Sequence, residues 1–183
     1  MSPVPLPPDR ALAPNPFEFL PPTGSFEVTS TDVAEGVQMS LAHVYPDAGG
    51  ENQSPAVAWS GFPDETAAFA VSCFDVDAPT VGGWYHWFVL DIPTSVTSLA
   101  RDAGSPDGSG LPAGAIQLAS SYGTPGYGGP YPPPGETLLH RYLLVVHALD
   151  VATLGVPAEA TPNYASFQVT QHEIARGVLV PKY

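Results

Sequence analysis

A mostly β fold, a sandwich or a barrel with one late helix, is what three features of this 183-residue sequence predict. Seven runs rich in Val, Phe, Tyr and Trp are separated by Gly, Pro, Asn or Asp, the pattern of short strands between turns. Twenty-three prolines and eighteen glycines supply turn and breaker positions, while only 13% of the residues are charged. The length suits one core in one domain with a tail in front of it.

The elements follow in chain order. Eight prolines fall within residues 1–22, which form a proline-rich N-terminal extension, expected to be extended, with Phe17, Phe19 and Leu20 as anchors onto a domain over residues 23–183. This head lacks a basic stretch followed by an uninterrupted apolar core, so it does not resemble a secretory signal. No run approaches the roughly 20 apolar residues that span a bilayer, and a cytoplasmic protein without a transmembrane segment is expected. From Phe26 the strand-like runs are FEVTS, GVQMSLAHV, AVAWSGF, AAFAVSCFDV, WYHWFVLDIP, GAIQLASS and LLHRYLLVVHALD. The single cysteine, Cys73, lies in an apolar run and reads as a buried, reduced thiol. Two loop regions, RDAGSPDGSGLPAGA and YGTPGYGGPYPPPG, lie within residues 101–135, and loops of this length and stiffness tend to shape a site. Near the end, NYASFQVTQHEIARGV places Phe167, Gln171, Ile174 and Val178 at helical spacing, with Asn163 as an N-cap after Pro162 and Gly177 as a stop.

Five Lys and Arg stand against eighteen Asp and Glu, a net charge of −13 that repels a phosphate polyanion, so no nucleic-acid partner is expected. The candidate chemistry sits at strand ends. Alternation along WYHWFVL puts Trp84, His86 and Phe88 on one face, and the same rule pairs His140 with Tyr142 and Asp75 with Asp77. Brought together with the backbone of Gly128 to Pro130, Asp75, His86, His140 and Tyr142 would form a polar cup walled by Trp84 and Pro79. Imidazoles, a hydroxyl and open backbone N–H groups can hold an anion without Lys or Arg, and a carboxylate can orient an imidazole. Each residue also has a plainer use: Asp75 and Asp77 as turn caps, His86 as a core histidine, His140 with Arg141 as an edge-strand pair. His43, His147 and His172 have no comparable context. Two histidines and an aspartate could hold a divalent metal, but no tight ligand spacing supports one; neither a metal nor a cofactor is expected.

DVDAP, GWYHWFVLDIP, LPAGA, GYGGPYPPPG, HRYLLVVHALD and FQVTQHEIARG resemble, in order and spacing, the phosphatidylethanolamine-binding protein family, which includes the Raf kinase inhibitor protein. NQSPAVAWSGFP is similar to an early stretch of the same family, and the glycine-rich loop with HRY resembles its bacterial branch. The resemblance implies a sandwich of two antiparallel β-sheets with a few short helices and a small pocket for phosphate, acetate or a phosphoethanolamine head group. It assigns that pocket to Asp75, Pro79, Trp84, His86, Gly129, Pro130, His140 and Tyr142; Asp77 joins them from the reading of the residues. It further implies a cis peptide at Gly83–Trp84, as in some members, and a homodimer. Val76 stands where the family usually has proline, and Tyr131 where the bacterial loop commonly has cysteine.

Three functions are weighed. The first is a binding module for a small anionic or zwitterionic ligand, with a zwitterion preferred because the surface is so acidic and its ammonium can face Asp75 or Asp77. The second is a kinase or protease inhibitor acting by protein contact, through the head or the loop around Tyr122, Tyr127 and Tyr131. The third is an isomerase, cyclase or hydrolase in which Asp75, His86 and His140 are catalytic. The sequence holds no nucleophile elbow, P-loop or dinucleotide fingerprint, so binding without covalent chemistry is preferred.

Overall fold

The computed structural model describes residues 10–183. Its frame is a sandwich of two unclosed sheets. The larger, of order β1-β9-β8-β4-β5-β7, contains Gly24–Ser25 (β1), Ala68–Asp75 (β4), Trp84–Pro93 (β5), Ile116–Gln117 (β7), Tyr142–Leu149 (β8) and Glu173–Leu179 (β9). The smaller is built from Glu27–Thr29 (β2), Val57–Ser60 (β3) and Ser98–Leu99 (β6), in the order β2-β3-β6. Pairing is antiparallel except for β1, which runs parallel to β9.

Both faces of β4 and β8 are apolar, so the large sheet is covered on both sides. Phe69, Val71, Val89, Ile92 and Val146 meet Val57, Trp59 and Leu99 of the small sheet, and Cys73 lies in this layer as a buried free thiol. Ala70, Phe88, Leu90 and Leu149 face the other way, beneath Ala165 and Val169 of the helix α1, Pro162–His172.

Two expected elements take other forms. GVQMSLAHV is not a strand: it holds one bridge at Gln38 and a 3-10 turn at Leu41–His43. The late helix begins at Pro162 with Thr161 as its N-cap and stops at His172, after which Glu173–Leu179 is strand β9 rather than two further turns. Helical spacing in that segment is therefore misleading. Ala165 and Val169 are the buried helix residues, Phe167 is 59% exposed, and Ile174 and Val178 belong to the strand. A free ladder position beside β8 offers residues 173–179 long-range pairing that local propensity does not anticipate.

Of the N-terminal head, residues 1–9 lie outside the described residues, while residues 10–20 form an arm across the large sheet. Asn15 caps a 3-10 turn at Pro16–Phe19. Phe17 packs with the cluster of Val76, Leu143 and Val145, and the Arg176 guanidinium sits 4.5 Å above its ring. Below Phe17 runs a buried polar chain: Ser72 to His147 at 2.9 Å, His147 to Glu173 at 2.6 Å, and Arg176 to Glu173 at 2.9 Å. Burial alone would raise the Glu173 pKa, but His147 and Arg176 hold it below its ordinary value. Phe19, expected as an anchor, is 73% exposed.

Candidate functional site

Strand register brings the first three groups together. Asp75 ends β4, where it is paired with Trp84 of β5 on one side and Tyr142 of β8 on the other. His140 lies two residues before Tyr142, in a stretch joined to the C-terminus by mutual backbone bonds between His140 and Tyr183. Its Nδ1 donates to Asp75 Oδ2 at 2.7 Å, and Asp75 Oδ1 accepts the Asp77 amide at 2.8 Å.

His86 arrives by a different route. The β4–β5 ladder runs from Cys73 opposite Trp87 to Phe74 opposite Tyr85, leaving His86 as the extra residue of a β-bulge. Simple alternation fails there: Phe88 shares the helix-facing side with Tyr85, their rings 5.5 Å apart, instead of the side of His86. A bulge re-aims one side chain, here His86, whose ring packs edge-on against Tyr142 at 5.1 Å. Its Nδ1 donates to the Gly128 carbonyl at 2.5 Å. Burial lowers its pKa below the ordinary imidazole value, against a smaller opposing effect of Asp75, so the ring is neutral at pH 7.

The loop of residues 119–135 forms the rim. It is stitched to the start of β5 by the Gly128 amide to His86 O, the Ser121 amide to Tyr85 O and the Tyr85 amide to Ser121 Oγ. Asn52 clamps it from outside, accepting from the Gly129 amide at 2.7 Å and donating to Tyr127 O. At Gly129 a Cβ would lie 2.2 Å from His43 O, so only glycine permits this approach.

The result is a cavity of about 240 Å³ lined by Asp75, Pro79, Trp84, His86 and His140, with Tyr122, Tyr131 and Pro132 at its rim. Among the described residues, hydrogen bonding here is incomplete: His86 Nε2 at the cavity and Oη of its neighbour Tyr142, which lies behind the lining in the core, are buried without a partner. Tyr131 stacks on Tyr45, and Tyr45 on Tyr122, giving the mouth an aromatic wall.

Several sequence-derived assignments change. Asp77 does not line the cavity; its buried carboxylate is held by the Arg141 side chain at 2.8 Å and by the amides of Ala13 and Arg141. Arg141 keeps the Asp77 pKa low even though burial pushes it up. Gly129, Pro130 and Tyr142 do not line the cavity, and the loop offers no open N–H there, since the Gly128 and Gly129 amides are both committed and proline has none. Gly83–Trp84 is not cis; no cis peptide occurs among the described residues, and the turn is made instead by Gly83 at φ +67°. Two residues beside the site went unnoticed in the sequence. Arg10 donates from Nη2 to His140 Nε2 at 2.8 Å, and Glu136 accepts from Arg10 at 3.2 Å. The available signal was the scarcity of basic residues, which makes each one worth tracing.

A model of the phosphatidylethanolamine-binding protein family matches residues 29–183. The chain belongs to this family. The Escherichia coli K12 protein YbcL is 38% identical over 167 residues, covering 90% of this chain and 91% of its own, and YbhB of the same organism is 38% identical over 154 residues. The crystal structure of YbcL, described as a new member of the mammalian family, superposes with a TM-score of 0.83 at 39% identity, over 86% of this chain and 97% of that one. The Chlamydia trachomatis homologue CT736 superposes with a TM-score of 0.72 at 26% identity. LppC of Mycobacterium tuberculosis, 36% identical over 132 residues, is named a lipoprotein. Among the described residues, no helix is long and apolar enough to cross a membrane.

Proposed function

We propose that this protein is a binding module for a small anionic or zwitterionic ligand, a phosphate, a carboxylate or a phosphoethanolamine-type head group, held at His86 beside Tyr142, with His140, whose ring nitrogens are engaged by Asp75 and Arg10, in the cavity wall. The observation that carries this reading is a pair of neighbouring buried atoms without a partner among the described residues, His86 Nε2 at the cavity and Tyr142 Oη beside it. Leaving a buried polar group unsatisfied costs about 1–3 kcal/mol, which a ligand bearing hydrogen-bonding oxygens offsets. A zwitterion is preferred: its ammonium can approach Asp75 or the faces of Trp84 and Tyr122, which line the same cavity. Asp77 is not available for that part, being taken by Arg141.

The test is an NMR titration of the histidine side chains with phosphoethanolamine, inorganic phosphate and acetate, on the native chain and on His140→Ala. Saturable shifts at His86 and His140 that vanish in the variant support the reading; no response to any of the three removes it. Equal affinity for phosphate and phosphoethanolamine removes only the preference for a zwitterion. The reading extends to a cytoplasmic homodimer, checked by cell fractionation and by light scattering of the purified chain.

A further inference from the structure

We propose that Arg10, carried on the N-terminal arm, is a ligand-contacting residue that supplies the positive charge for an anion in the His86–His140 cavity. This rests on the anion-binding reading and adds to it the source of the countercharge. The need is electrostatic. The chain has a net charge of −13 and buries the Asp75 carboxylate in the cavity wall, while His86 is neutral. An anion entering there meets repulsion unless a cation is close. Only five Lys and Arg exist, and three of the other four are held away by their own carboxylates: Arg101 by Asp32, Arg141 by Asp77 and Arg176 by Glu173.

Arg10 is the basic residue whose side chain touches a cavity-lining residue, with Nη2 2.8 Å from His140 Nε2. A guanidinium has five N–H donors in a fixed fork. Nε and Nη2 serve Glu136 and His140, and among the described residues Nη1 has no hydrogen-bond partner. Its two N–H groups are the donors assigned to the anion. Glu136 orients the guanidinium, while Nη2 holds His140 in the tautomer that donates to Asp75.

The arm is anchored well enough to place this charge. Three residues on, Ala13 is bracketed by its amide on Asp77 Oδ1 at 2.9 Å and by its carbonyl under Arg141 Nη2 at 2.5 Å. Beyond it, the capped turn and buried Phe17 fix the arm to the sheet. The family model begins only at residue 29, so Arg10 lies ahead of the residues it matches.

The experiment is calorimetric titration of the full chain with inorganic phosphate and with acetate, for the native protein, Arg10→Ala, Arg10→Lys and Glu136→Gln. Arg10→Ala is expected to weaken phosphate binding about tenfold or more and acetate binding less, because a charge-assisted fork is lost. Arg10→Lys should recover part of the loss, and Glu136→Gln should bind phosphate at least as tightly as the native chain. Phosphate affinity within twofold of native in Arg10→Ala overturns the proposal and leaves the anion site standing. Tighter binding in that variant also overturns it, and makes the arm a plug. Failure of the native chain to bind either probe overturns the anion-binding reading and this proposal together.

Discussion

Ligand binding should take up a proton. The Gly128 carbonyl can only accept, so the hydrogen of His86 sits on Nδ1, and Nε2 presents a lone pair to the cavity. An anion whose oxygens are all acceptors cannot bond to that nitrogen until a proton arrives on one partner or the other. Burial keeps the His86 pKa below its ordinary value of 6.5, and a phosphate monoester loses its second proton near pH 6 (about). Above about pH 6.5 neither partner carries the proton, so each binding event draws one from solvent. Affinity then falls about tenfold, or 1.4 kcal/mol, per pH unit, and roughly 100-fold between about pH 6.5 and 8.5. Calorimetry with phosphoethanolamine at pH 8, in buffers of different ionisation enthalpy, reads the proton count as the slope of observed enthalpy. We expect a slope near one proton, and a slope near zero for His86→Gln, whose amide donates without titrating. A native slope of zero together with a pH-independent Kd refutes the tautomer assignment.

The other predictions concern stability and site geometry. Arg101 holds the Asp32 pKa at about 2 against an ordinary 3.8, so the pair contributes stability above pH 4 that is lost as pH falls through that interval. Because Arg101 is half-exposed, solvent screening discounts the pair, and Arg101→Ala should flatten the acid dependence of stability over this interval in urea melts without changing stability at about pH 2 or below. Gly83→Ala forces a side chain onto φ +67° with its Cβ 2.2 Å from the Phe74 ring, and should cost about 2 kcal/mol or more in denaturant unfolding. Tyr142→Phe deletes a buried hydroxyl without a partner, so the free protein should be unchanged or up to about 1 kcal/mol more stable while ligand-induced thermal stabilisation shrinks.

What could be read from the sequence follows the range of the interactions involved. Strands β4, β5 and β8 were legible because apolar runs bounded by turn residues report burial directly. So was the meeting of Asp75, His86, His140 and Trp84, through motifs that occur in this order and spacing. The bulge at His86 was not legible, since a one-residue slip against β4 leaves no compositional mark and alternation then assigns Phe88 to the wrong face. The helix-to-strand change at Glu173 depends on the open edge of β8, which a local window cannot see. Asp77 looked like a ligand because its partners come from 64 residues away in each direction, at Ala13 and Arg141. The same distance concealed Arg10, whose contacts lie 126 and 130 residues along the chain.

The large sheet is irregular at both ends: register shifts at Phe69/Val71 and Ala148/Leu149 lie at the end away from Asp75, and further departures of several kinds lie beside the cavity. From Ala68 to Asp75, β4 pairs with β8 in unbroken register, and that ladder is continuous. Around the cavity stand the bulge at His86, a positive-φ glycine at 83, a loop clamped by Asn52 and two polar atoms without partners. Departures of different kinds beside one cavity are expected at a functional site. The two unpartnered atoms also set terms for what fills it. His86 Nε2 accepts, while Tyr142 Oη can donate, with burial holding its pKa up and the hydroxyl protonated. A singly protonated phosphate meets both terms, giving its P–OH to the imidazole and taking the phenol hydrogen on a charged oxygen. Sulfate has nearly the same size and shape but no proton at neutral pH. At pH 7 it should bind at least about tenfold more weakly than phosphate, because His86 must be charged against its depressed pKa before sulfate can be accepted. Equal affinity for the two anions would mean that charge and shape alone select the ligand, with no part for the imidazole lone pair.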